Sequence, residues 1–206
     1  FADILRDTYQ TLPHDDVVQY LNVIIEHGKK MGTIIESLLL LAVVRGTKEI
    51  EIDEVDMGFI VGETLKRVEY MAQEYDGQII VPESWPTAYG YGPWLEEVWY
   101  NYLTNGLKYG GRPPVLELGC DQLDNQMVRF WVKDNGAGFS VDRPEKLFAP
   151  LSRLTASDYQ SGHGLGLSIV RRIVERLHGK VGVESQLGRG STFWFTLPSE
   201  PPANMA

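Results

Sequence analysis

The stretch SGHGLGLSIVRRIVERLHGKVGVES, residues 161–185, sets glycines at 162, 164 and 166 directly ahead of an amphipathic run. Its apolar residues recur at helical spacing, predicting a helix over about 165–178. His178-Gly179 ends the run and KVGVES reads as a strand. Bare backbone at a helix N-terminus is what an anion site requires, because free N–H groups point outward and the helix dipole adds positive potential. Glycine lets the chain approach a phosphate or take up positive φ. Alternating glycines also make tight turns, and this loop alone leaves both readings open. Its spacing is neither a Walker A loop, which ends Gly-Lys-Ser/Thr, nor a dinucleotide fingerprint, which follows a strand and has an acid downstream.

Two further stretches bear on the choice. NYLTNGLKYG (101–110) places Asn101, Asn105 and Lys108 on one helical face at i, i+4 and i+7. A solvated face would explain them. Alternatively, an amide oxygen can hold hydrated Mg²⁺ beside a lysine that neutralises phosphate. KDNGAGF (133–139) ends a strand at Asp134 and continues with Gly136 and Gly138. That is common β-turn chemistry, but an acceptor-only carboxylate in a pocket can also take the exocyclic amine of adenine.

Around these stretches the chain has two patterns. Residues 1–9 and 17–44 read as the arms of a helical hairpin, joined by a linker with Pro13 in which Asp15 or Asp16 caps the second arm. Val17, Leu21, Ile24, Gly28, Met31, Ile35, Leu38 and Ala42 step by four and three. Val18, Ile25, Ile34 and Leu41 widen the stripe, which suits a helix bundle better than a narrow two-stranded seam. One hairpin cannot cover that face, so a homodimer is expected. Residues 45–53 read as a polar connection, 55–75 as a helix, and 78–83 as a short strand. Gly92-Pro93 opens a helix with proline at the favoured first position. Strands follow at 115–121 and 128–134 around a turn at Asp124-Asn125, and a last strand follows Gly188-Arg189-Gly190. The whole predicts an α+β chain, with the hairpin over 1–46, an α/β layer over 47–200 and a disordered tail over 201–206.

Composition narrows the class. The 206 residues carry a net charge of −9, with 43% hydrophobic and 23% charged residues, as in ordinary globular domains. The acidic balance argues against nucleic acid and anionic membranes as partners. One cysteine, Cys120, excludes an internal disulfide or a multi-cysteine metal site, and in its apolar run it reads as a strand residue. The longest apolar stretch, LLLLAVV at 38–44, is far shorter than the roughly 20 residues of a membrane span. The chain opens on Phe1 and shows no signal peptide, so it is expected to be a piece of a longer protein.

In order, NxxxNxxKY (101–109), DxGxG (134–138), LFAP (147–150), GxGxGL (162–167) and GxGSTF (188–193) resemble the N, G1, F, G2 and G3 boxes of sensor histidine kinases. The resemblance covers residues from about 1 to 198, since the hairpin resembles that family's dimerisation and phosphotransfer domain. It implies a two-layer α/β sandwich of the Bergerat ATP-binding fold, shared with gyrase, Hsp90 and MutL. Asn105 then matches the Mg²⁺ ligand and Asn101 lines the same site. Lys108 matches a phosphate contact, Tyr109 a wall of the nucleotide pocket, and Asp134 the acceptor of the adenine amine, supported by Gly136 and Gly138. Phe148 matches the aromatic at the root of an ATP lid spanning about 152–162, and Arg153 an arginine that reaches the terminal phosphate. Gly162, Gly164 and Gly166, with Leu165 among them, match the glycines where the lid hinges and the triphosphate meets the following helix. His163 reads as a lid residue. ATP and Mg²⁺ are the implied cofactors, a response-regulator receiver domain the implied partner, and the cytoplasm the implied location.

There are departures. Gly106 stands where alanine is usual and costs the helix up to about 1 kcal/mol. Tyr91 replaces an acid before that helix, and Leu151 an aromatic after the F box. The phosphoacceptor motif, a histidine followed by an acid and soon a proline, does not occur in the chain and is expected upstream of Phe1. His14, His27 and His178 are poor substitutes. The favoured expectation is the catalytic part of a histidine kinase that binds ATP but cannot label itself. The alternatives are a degenerate kinase acting through its hairpin, and a serine kinase of the anti-sigma type.

Overall fold

The computed structural model describes residues 1–46, 50–140, 144–149 and 165–201. The lid and loop positions Arg153, Gly162, His163 and Gly164, with the tail beyond residue 201, lie outside the described residues. The chain divides into two compact units, Phe1–Val43 and Val44–Ala206.

In the first unit, α1 (Ala2–Thr8) turns back onto α2 (His14–Gly46). Phe1 and Tyr20 meet at 5.3 Å between ring centroids, and Leu5 is buried. Pro13 presets the entry to α2, where Val17 N–H donates to the Pro13 carbonyl at 3.2 Å. The helix therefore starts earlier than the sequence reading placed it. Asp15 and Asp16 fall inside its first turn, where they face the positive end of the dipole instead of capping it. Much of the apolar stripe stays exposed, including Leu21, Met31, Ile35 and Leu38.

The second unit is built on a five-stranded sheet of β2 (Gln78–Ile80), β4 (Val115–Leu123), β5 (Met127–Asp134), β7 (Ser191–Pro198) and β6 (Val181–Ser185), in that spatial order. β2 and β4 run parallel and the remaining pairs antiparallel. α3 (Met57–Glu74), α4 (Gly92–Tyr109) and α5 (Gly166–Arg176) supply the helical layer. Asp56 caps α3 by accepting from Phe59 N–H at 3.0 Å, and Pro93 sits at the start of α4. Between the layers, Trp99 packs edge-on to Phe195 at 5.4 Å while Phe130 stacks on Phe195 at 5.3 Å. Trp99 Nε1 donates to Met57 Sδ at 3.1 Å, and the buried Tyr102 hydroxyl to the Trp194 carbonyl at 3.0 Å. These two bonds satisfy the polar ends of the largest core rings.

A separate two-stranded ribbon joins β1 (Asp53–Val55) to β3 (Ala88–Gly90). The sequence shows neither strand, and it shows 45–53 as plain connection. Across the outer face of the sheet, Gly119, Trp131, Trp194 and Gly182 share one row. Each indole lies over a neighbouring glycine so closely that a methyl group there would overlap the ring.

Candidate functional site

The site gathers where β5, the β6–β7 turn and the ends of α4 and α5 meet. Asp134 is the last residue of β5 and only 8% exposed. Its Oδ1 accepts from Gly136 N–H at 2.8 Å and from Ser191 N–H at 3.2 Å. Its Oδ2 takes no hydrogen bond from the described residues and stands as an open acceptor. Burial pushes the Asp134 carboxyl up from its ordinary value, and the two backbone donors offset part of that rise.

Glycines make this arrangement possible. Gly138 adopts φ 60 beneath the Gln186 carbonyl, and Gly190 φ 80 against the Asp134 carbonyl. A side chain at either would overlap backbone, so the turn after β5 and the β6–β7 turn can nest only as glycine. Gly188 N–H donates to the Ala137 carbonyl at 2.6 Å. Ser185 Oγ accepts from Phe139 N–H at 2.9 Å and donates to the Gly190 carbonyl at 3.1 Å. Gly136 approaches the end of α4, where an added Cβ would stand 2.7 Å from the Tyr109 carbonyl.

The α4 face carries Asn101, Asn105 and Lys108, all half-buried. Asn101 Nδ2 donates to the Glu97 carbonyl at 2.8 Å, which turns Oδ1 toward Gly166. A Cβ at Gly166 would collide with that oxygen, so the glycine lets the N-terminus of α5 close on the amide face. Leu165, buried, accepts from Ser168 Oγ at 2.7 Å. The Asn105 carboxamide has no partner among the described residues. An unpaired amide oxygen suits a hard divalent cation, and no cluster of three or more His, Cys, Asp or Glu offers an alternative among those residues. Lys108 also borders a cavity of about 390 Å³ with Glu74, Asp76 and Arg112. Tyr109 is about half exposed.

Phe148, on a short 3-10 turn at Pro144–Phe148, is 3% exposed and packs with Leu147 and Val183 against Leu167 of α5. It is an anchor in an apolar cluster. Contacts thus join Asp134, Gly136, Gly138 and Tyr109 in one group and Asn101 with Gly166 in another, while Asn105 and Lys108 follow Asn101 along α4. The backbone donor at Ser191 and the side chains of Ser185 and Asn135 were not singled out in the sequence. The only available signal was their place next to the glycine-rich boxes.

Comparison with known proteins gives a consistent picture. The family described as histidine kinase-, DNA gyrase B-, and HSP90-like ATPases matches residues 90–201. The adaptive-response sensory kinase SasA of Thermosynechococcus vestitus is 29% identical over 202 residues, covering 96% of the chain and 53% of SasA. The methanogenesis regulatory histidine kinase FilI of Methanothrix harundinacea is 33% identical over 201 residues, covering 97% of the chain and 22% of FilI. The chain therefore spans about half the length of SasA and less of FilI. Among solved structures, full-length ShkA in complex with AMPPNP superposes with a TM-score of 0.72 at 26% identity, covering 92% of the chain and 40% of ShkA. ThkA, crystallised with the response regulator TrrA, superposes at 0.73 and 22% identity, covering 97% of the chain and 56% of ThkA. That last likeness bears on the fold alone.

Proposed function

The chain belongs to the histidine kinase-, DNA gyrase B- and HSP90-like ATPases, and from that premise we propose that it is the ATP-binding catalytic region of a sensor histidine kinase. The observation that carries the reading is Asp134. Its carboxylate is buried, one oxygen is saturated by two backbone N–H groups, and the other takes no hydrogen bond from the described residues. An acceptor held in that way fits the exocyclic amine of adenine.

In this reading Tyr109 walls the base, while Gly136 and Gly138 let the backbone close around it. Asn105, with Asn101 one turn before it, would hold Mg²⁺ through its amide oxygen, and the ion would supply charge neutralisation for the phosphates. Lys108 and Arg153 meet the phosphates. Gly162, Gly164, Leu165 and Gly166 bring the start of α5 to the triphosphate, and Phe148 anchors the root of the lid. The γ-phosphoryl passes to a histidine nitrogen that this chain does not supply, and then to an aspartate of a receiver domain. Such transfer rests mainly on positioning and charge neutralisation. The hairpin of residues 1–46 pairs with a second copy, residues 47–200 form the catalytic domain, and the reaction lies in the cytoplasm, where ATP is. No helix among the described residues is long and apolar enough to cross a membrane.

Calorimetric titration with a non-hydrolysable ATP analogue, with and without Mg²⁺, tests the reading. Micromolar to submillimolar binding that strengthens with Mg²⁺ is expected. Asp134→Ala should weaken it by at least about tenfold, in line with leaving a buried polar partner unmatched. Asn105→Ala should remove most of the Mg²⁺ dependence with little change in melting temperature, since its carboxamide bonds none of the described residues. A folded sample with no binding at millimolar nucleotide would sink the proposal.

A further inference from the structure

Asn135 sits between Asp134 and Gly136, yet its side chain bonds a different segment. Oδ1 accepts from Gly111 N–H at 3.0 Å and from Val115 N–H at 2.8 Å, while Nδ2 donates to the Pro113 carbonyl at 3.1 Å. All three partners lie in the connection that leaves the end of α4 and enters β4. Gly111 has room for this only as glycine, because an added Cβ would stand 2.7 Å from the carboxamide oxygen. The demand is chemical as well as steric. One end of the group must accept twice and the other must donate, which a carboxamide does and a carboxylate does not. The same connection begins beside Lys108 and Tyr109.

We infer that Asn135 is a positioning residue that fixes the separation between Asp134, at the adenine end of the site, and Asn105 and Lys108 of α4, at the phosphate end. The inference rests on the ATP reading above. A two-ended ligand gains affinity from its second contact only when that contact is held at the right distance from the first. Loosening the clamp leaves each end intact and spoils their joint use. The effect should therefore fall on ligands that reach both ends and spare a ligand that reaches one.

The test compares adenosine with the Mg²⁺ complex of a non-hydrolysable ATP analogue, by NMR titration of the same samples. In Asn135→Ala, triphosphate affinity should fall about tenfold while adenosine affinity stays within about threefold. Asn135→Asp keeps both acceptor bonds and loses the donor, so its loss should be intermediate. Gly111→Ala displaces the carboxamide without removing it and should reproduce the split, which keeps the test alive if Asn135→Ala folds poorly. Equal weakening of both ligands, or of neither, overturns the inference and leaves the ATP reading standing. Failure of the unaltered protein to bind the analogue overturns both.

Discussion

At the residue scale, Asp134 holds a carboxylate where burial disfavours charge. A raised carboxyl pKa means that the folded state keeps its proton to higher pH than the unfolded chain does. As pH rises from the ordinary aspartate value of 3.8 through the raised folded value, this group makes folding progressively less favourable. Above that window the cost is fully in place, and below it the cost vanishes. Asn at this position still accepts from Gly136 and Ser191 and carries no charge to desolvate. Asp134→Asn is therefore expected to melt higher than the natural protein at pH 7, with the gap closing as pH approaches 3.8. Nucleotide affinity should move the other way. The open position becomes an amide donor facing an amine donor, with a loss of roughly tenfold to a hundredfold. In the unaltered protein, affinity should also decline as pH drops through the raised value and Oδ2 loses its charge. Thermal melts and titrations across pH 4–8, on the two proteins side by side, decide both points. A lower melting temperature for the variant at pH 7 would show that the ionised group has a partner that stabilises it.

At the scale of elements, the row Gly119–Trp131–Trp194–Gly182 shows what spacing alone leaves hidden. Each indole covers the bare backbone of an adjacent strand. Gly119→Ala or Gly182→Ala should thus cost about 1–3 kcal/mol, the usual range for overpacking, read as a lower urea midpoint. Gly119→Ala placed on Trp131→Ala should cost far less, because the ring it displaces is gone; equal costs in both backgrounds would refute the contact. α3, α4, α5 and the four longer strands could be read in advance because each declares itself locally. Period, proline at the start of α4, and glycine turns are all properties of neighbouring residues. β1 and β3 could not be read so. Each is three residues long, and each exists only because Asp53 pairs with Gly90 and Val55 with Ala88, far apart in the chain. The same divide runs through the site. Asp134, Asn105 and Lys108 stand out as candidates from residue type at a given spacing. The roles of Asn135 and the Ser191 N–H depend on segments brought together by the fold, and nothing in their immediate sequence states them.

At the scale of the whole molecule, α2 presents an account that one chain cannot close. Val18, Leu21, Ile25, Met31, Ile35, Leu38, Leu39 and Val43 are all exposed, Met31 at 61% and Leu39 at 62%. Single exposed apolar residues are normal on any surface. Eight along one 33-residue helix are not, and their spacing keeps them on a shared side over many turns. A surface of that kind marks a site of association, and a C2 pair is the simplest closed arrangement that covers the same face on both members. Light scattering should therefore find a dimer at micromolar concentration. Ile35→Asp combined with Leu21→Asp puts a charge on the face at two levels and should weaken association by at least about a hundredfold, since each buried unpaired carboxylate costs several kcal/mol. Because Phe1–Val43 and Val44–Ala206 are separate compact units, the same variant should bind the ATP analogue as the unaltered protein does. A clean monomer before mutation would mean that another occupant covers the stripe. A variant that lost nucleotide along with the dimer would mean that the catalytic unit needs a paired hairpin to hold its site.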